Sequence, residues 1–571
     1  MDRITLSLLG EFSKAYDLEE LSEDKRFEHF SAYITVRRRH SETFETMDVV
    51  LGSGGDTGID AIAIIVNGVL INDVDSFNEL AKATNNLDVS FIFVQSERSS
   101  SFDSAKIGTF GFGVVDFFKS TPTLPRNSDV QNAADIMSAI YDQSSKFKRA
   151  RPTCELYYVT TGTWVHDQQL EARRVSVVDD LKATGLFGDI DFSCVGADGV
   201  ARLYALTKNA ISRTIQFANR VELPEIEGVK EAFLGYLPIR EFAELVKNDD
   251  GDILGTIFYD NVRDWQEYNR VNDEIRTTLV SEESPRFVLM NNGITIPARD
   301  LQRVGAKFSI EDFQIVNGCQ TSHVLFDQRD NIDERVCVPL RLIVTQDEAV
   351  IEDIIRATNR QTQLREEQFI ALMDFSRKLE TFFQAFPINQ RLYYERRSNQ
   401  YGRLDTEKTR IVTPPNLIRS YAAMYLSEPH RTTRNFGALV ERVGKDIFVD
   451  AHKLELYYAA AFALYKLEYL FRTQRLDNKF KPARFHILLA VRLLFDPRAL
   501  SPPNSAEAAK RALALVETLD DAKKADALFA RAAAAVESVA KGNFHRDNVR
   551  TQPFTEQLIT HCIPAGRGKK A

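Results

Sequence analysis

The sequence predicts a mixed α/β N-terminal region, an α+β middle and a mostly helical C-terminal part, divided at 1–215, 216–370 and 371–571. Three observations carry this. Strand-like and helix-like segments alternate through the first region. VCVPLRLIVT (336–345) and its neighbours mark strands in the middle. From about residue 347 the apolar spacing becomes helical, through EAVIEDIIRATNR, REEQFIALMDFSRKLETFFQAF, DAHKLELYYAAAFALYKLEYLF and ARFHILLAVRLLF. At 571 residues, each part is large enough to bury its own core.

Residues 1–45 read as helix, with Phe27, Phe30 and Ile34 at helical spacing and Glu28 beside them. Residues 47–71 read as a hairpin: the strand IDAIAIIVN, a turn at Asn67-Gly68, then GVLIND. Asn-Gly favours a type I′ turn, because both residues tolerate positive φ. VDSFNELAKATN is a short connecting helix, and LDVSFIFVQSE is a third strand that stays apolar until Gln95. FDSAKIGTFGFGVVDFFKS follows as a helical or irregular amphipathic segment, and CELYYVTTGT as a buried strand. SVVDDLKATGLFG is a helix with a glycine stop. IDFSCVGADGVARLYAL is a strand pair or a strand–helix unit. The middle begins near Glu222 and holds FVLMNNGITIPARDL and FSIEDFQIVNGCQTSHVLF. Pro502-Pro503 breaks the helical part before an Ala-rich helix pair.

The 44% hydrophobic and 27% charged content is that of a globular protein. A net charge of -9 argues against a protein that coats nucleic acid over its whole surface, but leaves room for a local basic groove. Five scattered cysteines without a CxxC pair suit a reducing compartment and disfavour a zinc site or disulfide framework. The first twenty residues lack a signal-peptide core, and no apolar run approaches the roughly 18 residues of a membrane helix. The expected location is the cytoplasm, with no membrane partner.

Chemistry is most legible between Gly55 and Glu97. Alternate strand residues share a face, so Phe91, Phe93, Gln95 and Glu97 point one way and Arg98 the other. Asp60 opens the neighbouring strand behind Gly54, Gly55 and Gly58. A carboxylate and two oxygen-bearing groups at one sheet edge suit a hard cation such as Mg²⁺, which also keeps waters and substrate phosphate. The alternative reading makes Asp60 a turn residue and Gln95-Ser96-Glu97 a polar strand end.

This pattern resembles the PD-(D/E)XK, restriction-endonuclease-like nucleases that carry Gln in place of the second acid. Gly55, Asp56, Gly58, Ile59 and Asp60 match G-x-D-x-G-I-D in part, and Gln95 matches the Gln of Q-x-K. The resemblance implies a metal-dependent endonuclease with Glu28, Asp60 and Gln95 holding Mg²⁺ or Mn²⁺. Glu97 departs from it, standing where a lysine is expected. A Glu can be a ligand or a base but brings no positive charge; Lys106 is the candidate substitute cation. A degenerate fold kept for binding remains open.

Residues from about 256 to 440 resemble the abortive-infection phage-resistance (AIPR) family. The matching residues include Arg263, Asn291-Asn292-Gly293-Ile294-Thr295, Asn317-Gly318-Cys319-Gln320-Thr321, Asn359 and Tyr394-Glu395-Arg396-Arg397. The resemblance implies bacterial antiviral defence. Asn, Gln and Thr side chains both donate and accept, and Asn-Gly turns expose backbone N–H groups that can form anion nests. Arg263, Asn291, Asn292, Asn317, Gln320, Thr321, Asn359, Arg396 and Arg397 are therefore candidate contacts to nucleic acid, nucleotide or another ligand. The bland alternative is that the amides cap turns.

Residues 391–440 hold nine basic and four acidic residues, a net +5, with Tyr393, Tyr394 and Tyr401 interleaved. Guanidinium groups bind phosphate and tyrosine rings stack on bases, although such stretches are often solvated faces. Tyr457, Tyr458, Phe462, Tyr465 and Tyr469 read as core or dimer packing. The expected partner is nucleic acid, DNA ahead of RNA, and a homodimer is left open.

Overall fold

The computed structural model describes the chain except residues 41–42, 53–57, 85, 148–150, 166, 209–211, 248–250, 252, 255–256, 259–269, 359–374, 397–399, 402–406 and 564–571. It divides into two compact units, Met1–Thr207 together with Glu367–Ala571, and Lys208–Glu366.

The first unit opens with α1 (Arg3–Ala15) and α2 (Glu23–Val36). This corrects the single helix expected over 1–45. The chain turns at Asp17, whose φ is +51°, and the second helix restarts where Ser22 accepts from the Lys25 N–H. Strands β1 (Ala61–Val66) and β2 (Val69–Leu70) form the expected hairpin, with both Asn67 and Gly68 at positive φ. The strand starts later than residue 47, because Thr46–Asp48 coils into a short 3₁₀ turn. After α3 (Val74–Ala83) come β3 (Val89–Glu97), α4 (Ser104–Phe117), α5 (Ser128–Asp142), β4 (Thr153–Thr160), α6 (Gln168–Ala183), β5 (Asp189–Val195) and α7 (Ala197–Lys208).

The sheet runs β2-β1-β3-β4-β5. β1 is antiparallel to β2 and β3, with Ala61 opposite Val94; β3, β4 and β5 are parallel. Both faces are covered, which is why the central strands are apolar throughout rather than alternating. Ile62, Ile64, Phe91, Phe93 and Tyr158 pack with residues of α4, α5 and α6. Ala61, Ile65, Ile92, Val94 and Val159 pack with α1, α2 and α7. The start of β1 and the ends of β3, β4 and β5 therefore meet at one sheet edge.

The later part of this unit is helical, as expected. Leu454–Arg472 and Arg484–Phe495 are buried among Pro414–Tyr425, Ala506–Asp520, Ala522–Ala540 and Gln552–Cys562. Tyr457, Tyr458 and Phe462 lie in that core. This part of the chain carries bases that meet acids of the first 80 residues. Arg472 pairs with Asp17 and Glu45, Arg484 with Asp48, and Arg550 with Asp73 and Asp75.

The second unit is a sheet ordered β6-β10-β9-β11-β8-β7, from β6 (Ser212–Gln216), β7 (Arg220–Glu222), β8 (Glu231–Pro238), β9 (Ile294–Val304), β10 (Lys307–Phe313) and β11 (Cys337–Val344). Only β9 and β11 pair in parallel. The helices α8 (Ile239–Val246), α9 (Arg270–Leu279), α10 (Phe287–Met290), α11 (Cys319–Asp327) and α12 (Glu348–Thr358) complete it, around a core that includes Phe233, Ile296, Phe308 and Leu340. Among the described residues, no helix is long and apolar enough to cross a membrane.

Candidate functional site

Asp60 lies at the bend that leads into β1. Its N–H donates to Val94 O at 2.8 Å, continuing the β1–β3 ladder by one residue. Its Oδ2 accepts from the Ser96 N–H at 2.6 Å and the Ser96 hydroxyl at 2.9 Å. The antiparallel pairing thus puts the Asp60 carboxylate against Ser96, next in sequence to Gln95, on the neighbouring strand. The Gln95 amide reaches Ser96 O at 3.5 Å, the outer limit of a hydrogen bond.

Glu97 is engaged at both oxygens. Oε1 accepts from Lys106 Nζ, in the first turn of α4, and Oε2 accepts from Tyr158 Oη at 3.0 Å. Burial first, and then the bond to Glu97, hold the Tyr158 phenol well above its ordinary range, so it stays a donor. Arg98 turns to the opposite face, as strand alternation requires, and pairs with Glu23 and Asp24 at the start of α2.

Glu28 sits on α2 and pairs with Lys25 at 2.7 Å. Its helix covers the face of β3 opposite to the one holding Phe91 and Phe93. Gly55 and Asp56 lie outside the described residues. Among the described residues, no group of three or more His, Cys, Asp or Glu side chains converges as a metal set. Besides Glu97, Asp60 offers a carboxylate and Gln95 an amide oxygen at this edge, donor types that suit Mg²⁺ with water and phosphate filling the remaining positions. Ser96 and Tyr158 had no sequence signal as site residues. Their roles follow from register, which places Gln95 opposite Tyr158.

The amide residues of the second unit are also drawn together. The Asn291 amide donates to Thr321 Oγ1 at 3.1 Å, and its oxygen accepts from the Gly293 N–H at 2.8 Å. Thr295 and Asn317 pair through the backbone, Thr295 N–H to Asn317 O at 3.2 Å. The two Asn-Gly turns thereby touch. A Cβ on Gly318 would lie 3.1 Å from Gly293 O and 2.8 Å from Ile294 Cγ1, and both glycines have positive φ. Gln320 is half-buried in the first turn of α11, Thr321 is buried, and Asn292 is exposed. Asn359 and Arg263 lie outside the described residues. Cys319 is buried, and the His323 ring packs on Phe258 at 4.9 Å.

The basic segment after residue 391 serves the interior more than the surface. Arg396 pairs with Glu380, which also accepts from Tyr401 Oη at 2.9 Å. Arg391, Lys408 and Arg410 donate to backbone carbonyls, and Arg419 to Thr432 O. Tyr394 and Tyr401 are buried, which corrects the expectation that their rings offer open stacking faces. Arg397 lies outside the described residues.

The family model described as AIPR protein matches residues 258–543, half of the chain. No curated protein and no solved structure matches it.

Proposed function

Because the chain belongs to the AIPR protein family, we propose that it is a bacterial antiphage, abortive-infection defence protein whose N-terminal sheet is a metal-dependent nuclease. The observation that carries the nuclease reading is the juxtaposition at the sheet edge. The Asp60 carboxylate is fixed by two hydrogen bonds to Ser96, the residue after Gln95, and Lys106 is brought to Glu97 at the end of the same strand. The hairpin followed by a strand that carries Gln95 near its end also supports the likeness to restriction-endonuclease-like enzymes.

Asp60 and Gln95 would hold Mg²⁺ or Mn²⁺, with Glu28 the further acid. When bound, the ion supplies neutralisation of phosphate charge and a more acidic water. The chain's own part is positional. Ser96 orients the Asp60 carboxylate through Oδ2, and the carboxylate and amide set where a phosphodiester oxygen sits. Hydrolysis joins a water oxygen to phosphorus while the phosphorus–ester oxygen bond opens, and the leaving oxygen takes a proton. The proposed substrate is nucleic acid, DNA ahead of RNA. Asn291, Asn292, Asn317, Gln320 and Thr321 would recognise the target or a signal ligand in the second unit.

The test is cleavage of plasmid, single-stranded DNA and RNA with Mg²⁺ by wild type and Asp60→Ala. The reading expects Mg²⁺-dependent cleavage that falls by at least about a hundredfold in the variant, the scale of losing one preorganised charge-stabilising group. No metal-dependent cleavage, or equal rates, would sink it. A second reading, a degenerate fold kept as a sensor or scaffold, is favoured by the ion pair that sets Glu97 against the charge of Lys106. It expects cleavage only after Glu97→Lys.

A further inference from the structure

We propose that Glu97 is a positioning residue for Lys106, so that an ammonium carried on α4 does at this sheet edge what a strand-borne lysine would do. This rests on the nuclease reading and says where its positive charge comes from. On sequence grounds Glu97 is a metal ligand or a base. The structure gives it a different occupation, with one oxygen on Lys106 Nζ and the other on Tyr158 Oη. A carboxylate held from both sides is an anchor, and what it anchors is the cation.

The placement of Lys106 is set by packing as well as by that pair. Asp103 caps α4 by accepting from the Ala105 N–H at 2.7 Å, which fixes the helix start six residues after Glu97. Phe102, just before it, is buried edge-on against Tyr158 at 5.5 Å and Trp164 at 4.9 Å. The Thr161 hydroxyl donates to Ser99 O at 3.0 Å. Gly162 lets the two loops approach so closely that a Cβ there would stand 2.4 Å from Ser100 O. The turn from β3 into α4 is thus clamped to the end of β4, and Tyr158 belongs both to that clamp and to the Glu97 anchor. The Lys106 side chain is half exposed beside Glu97 at the end of β3, so its ammonium can face a bound phosphate. A preorganised ammonium there stabilises the charge that builds on the non-bridging phosphate oxygens as the ester bond opens.

The experiment uses the full chain and four variants: Asp60→Ala, Lys106→Ala, Glu97→Gln and the double variant Glu97→Lys/Lys106→Ala. Cleavage of a supercoiled plasmid with Mg²⁺ is followed across pH, with thermal unfolding of each variant as the check on folding. The proposal expects Lys106→Ala to lose about a hundredfold in rate, the loss for one charge-stabilising donor. It expects Glu97→Gln to fall less, with a changed pH profile and an unaltered unfolding temperature. Moving the ammonium to the strand in the double variant should recover at least tenfold over Lys106→Ala, which a merely structural role for the ion pair would not produce. If Lys106→Ala cuts at the wild-type rate while Asp60→Ala does not cut, this assignment falls and the nuclease reading stands. If the double variant stays as slow as Lys106→Ala, the positioning role falls. If wild type does not cut in any metal, both fall together.

Discussion

Replacing Arg472 by Met should lower the stability of the chain by about 3–5 kcal/mol, the cost of removing one partner from a buried ion pair. The Arg472 side chain is 1% exposed, on the helix Leu454–Arg472. Its Nη1 lies 3.1 Å from Glu45 and its Nη2 3.5 Å from Asp17, both from the first 50 residues. Methionine keeps most of the apolar volume, so the loss comes from the acids that no longer face a guanidinium. Urea unfolding followed by circular dichroism measures it. The double variant Arg472→Met/Glu45→Gln should recover part of the loss, because the stranded charge is then gone. As a contrast, Lys378→Met breaks an exposed pair with Asp450 and should cost under about 1 kcal/mol. A change below about 1 kcal/mol for Arg472→Met would mean that this contact does not tie the C-terminal helices to the N-terminal segment around α1 and α2.

Between pH 6 and pH 5 the protein should lose stability by about 3 kcal/mol per pH unit, and Glu468→Gln should steepen this to about 4. Among the described residues three histidines are buried: His29, bonded to Thr46 at 2.8 Å, His40, bonded to Gly68 O at 2.9 Å, and His486, bonded to Thr555 at 3.3 Å. Burial, foremost among the causes, pushes His29 and His486 down to about 3 and His40 to about 4. A lowered folded pKa gives stability that is complete above the unfolded value of about 6.5 and lost as pH falls. Glu468 works in the opposite direction. Burial first, then the Asp48 and Glu45 charges, push it up to about 7 against the opposing Arg484 and Arg472. Its stabilising share is complete below the unfolded value of about 4.5 and lost as pH rises through 7. In the window from 5 to 6 the unfolded chain carries about three protons on these histidines that the folded chain lacks, and the folded chain carries one on Glu468 that the unfolded chain lacks, a net difference of about two protons. Urea midpoints for wild type and Glu468→Gln at pH 5, 6 and 7 check the sign and the difference in slope. Equal slopes would show that Glu468 does not hold a proton in the folded state.

The sheet was legible where local pattern decides structure. AIAIIV and VSFIFV are apolar on both faces because both faces are covered, and Asn67-Gly68 fixed the hairpin through its two positive φ angles. The edge position of Asp60, Gln95 and Glu97 followed from strand alternation, as did the turn of Arg98 toward α2. What stayed hidden depends on register or on distant partners. Ser96 and Tyr158 became visible only once β3 was aligned with its neighbours. The pairing of Asp17 and Glu45 with Arg472 joins residues more than 400 positions apart, and such contacts leave no local periodicity. Composition misled around residue 391, because a run of Arg and Tyr reads as a surface while Arg396, Tyr394 and Tyr401 are drawn inward by Glu380 and by packing.

A nuclease built on this sheet must bind a divalent cation at the Asp60 edge. Anomalous diffraction from crystals of the full chain soaked in Mn²⁺ locates the ion directly. The expected result is a peak touching oxygens of both Asp60 and Gln95 at about 2.0–2.6 Å, absent from Asp60→Ala crystals grown in the same way. A peak elsewhere in the chain, or a peak that persists unchanged in Asp60→Ala, would contradict it.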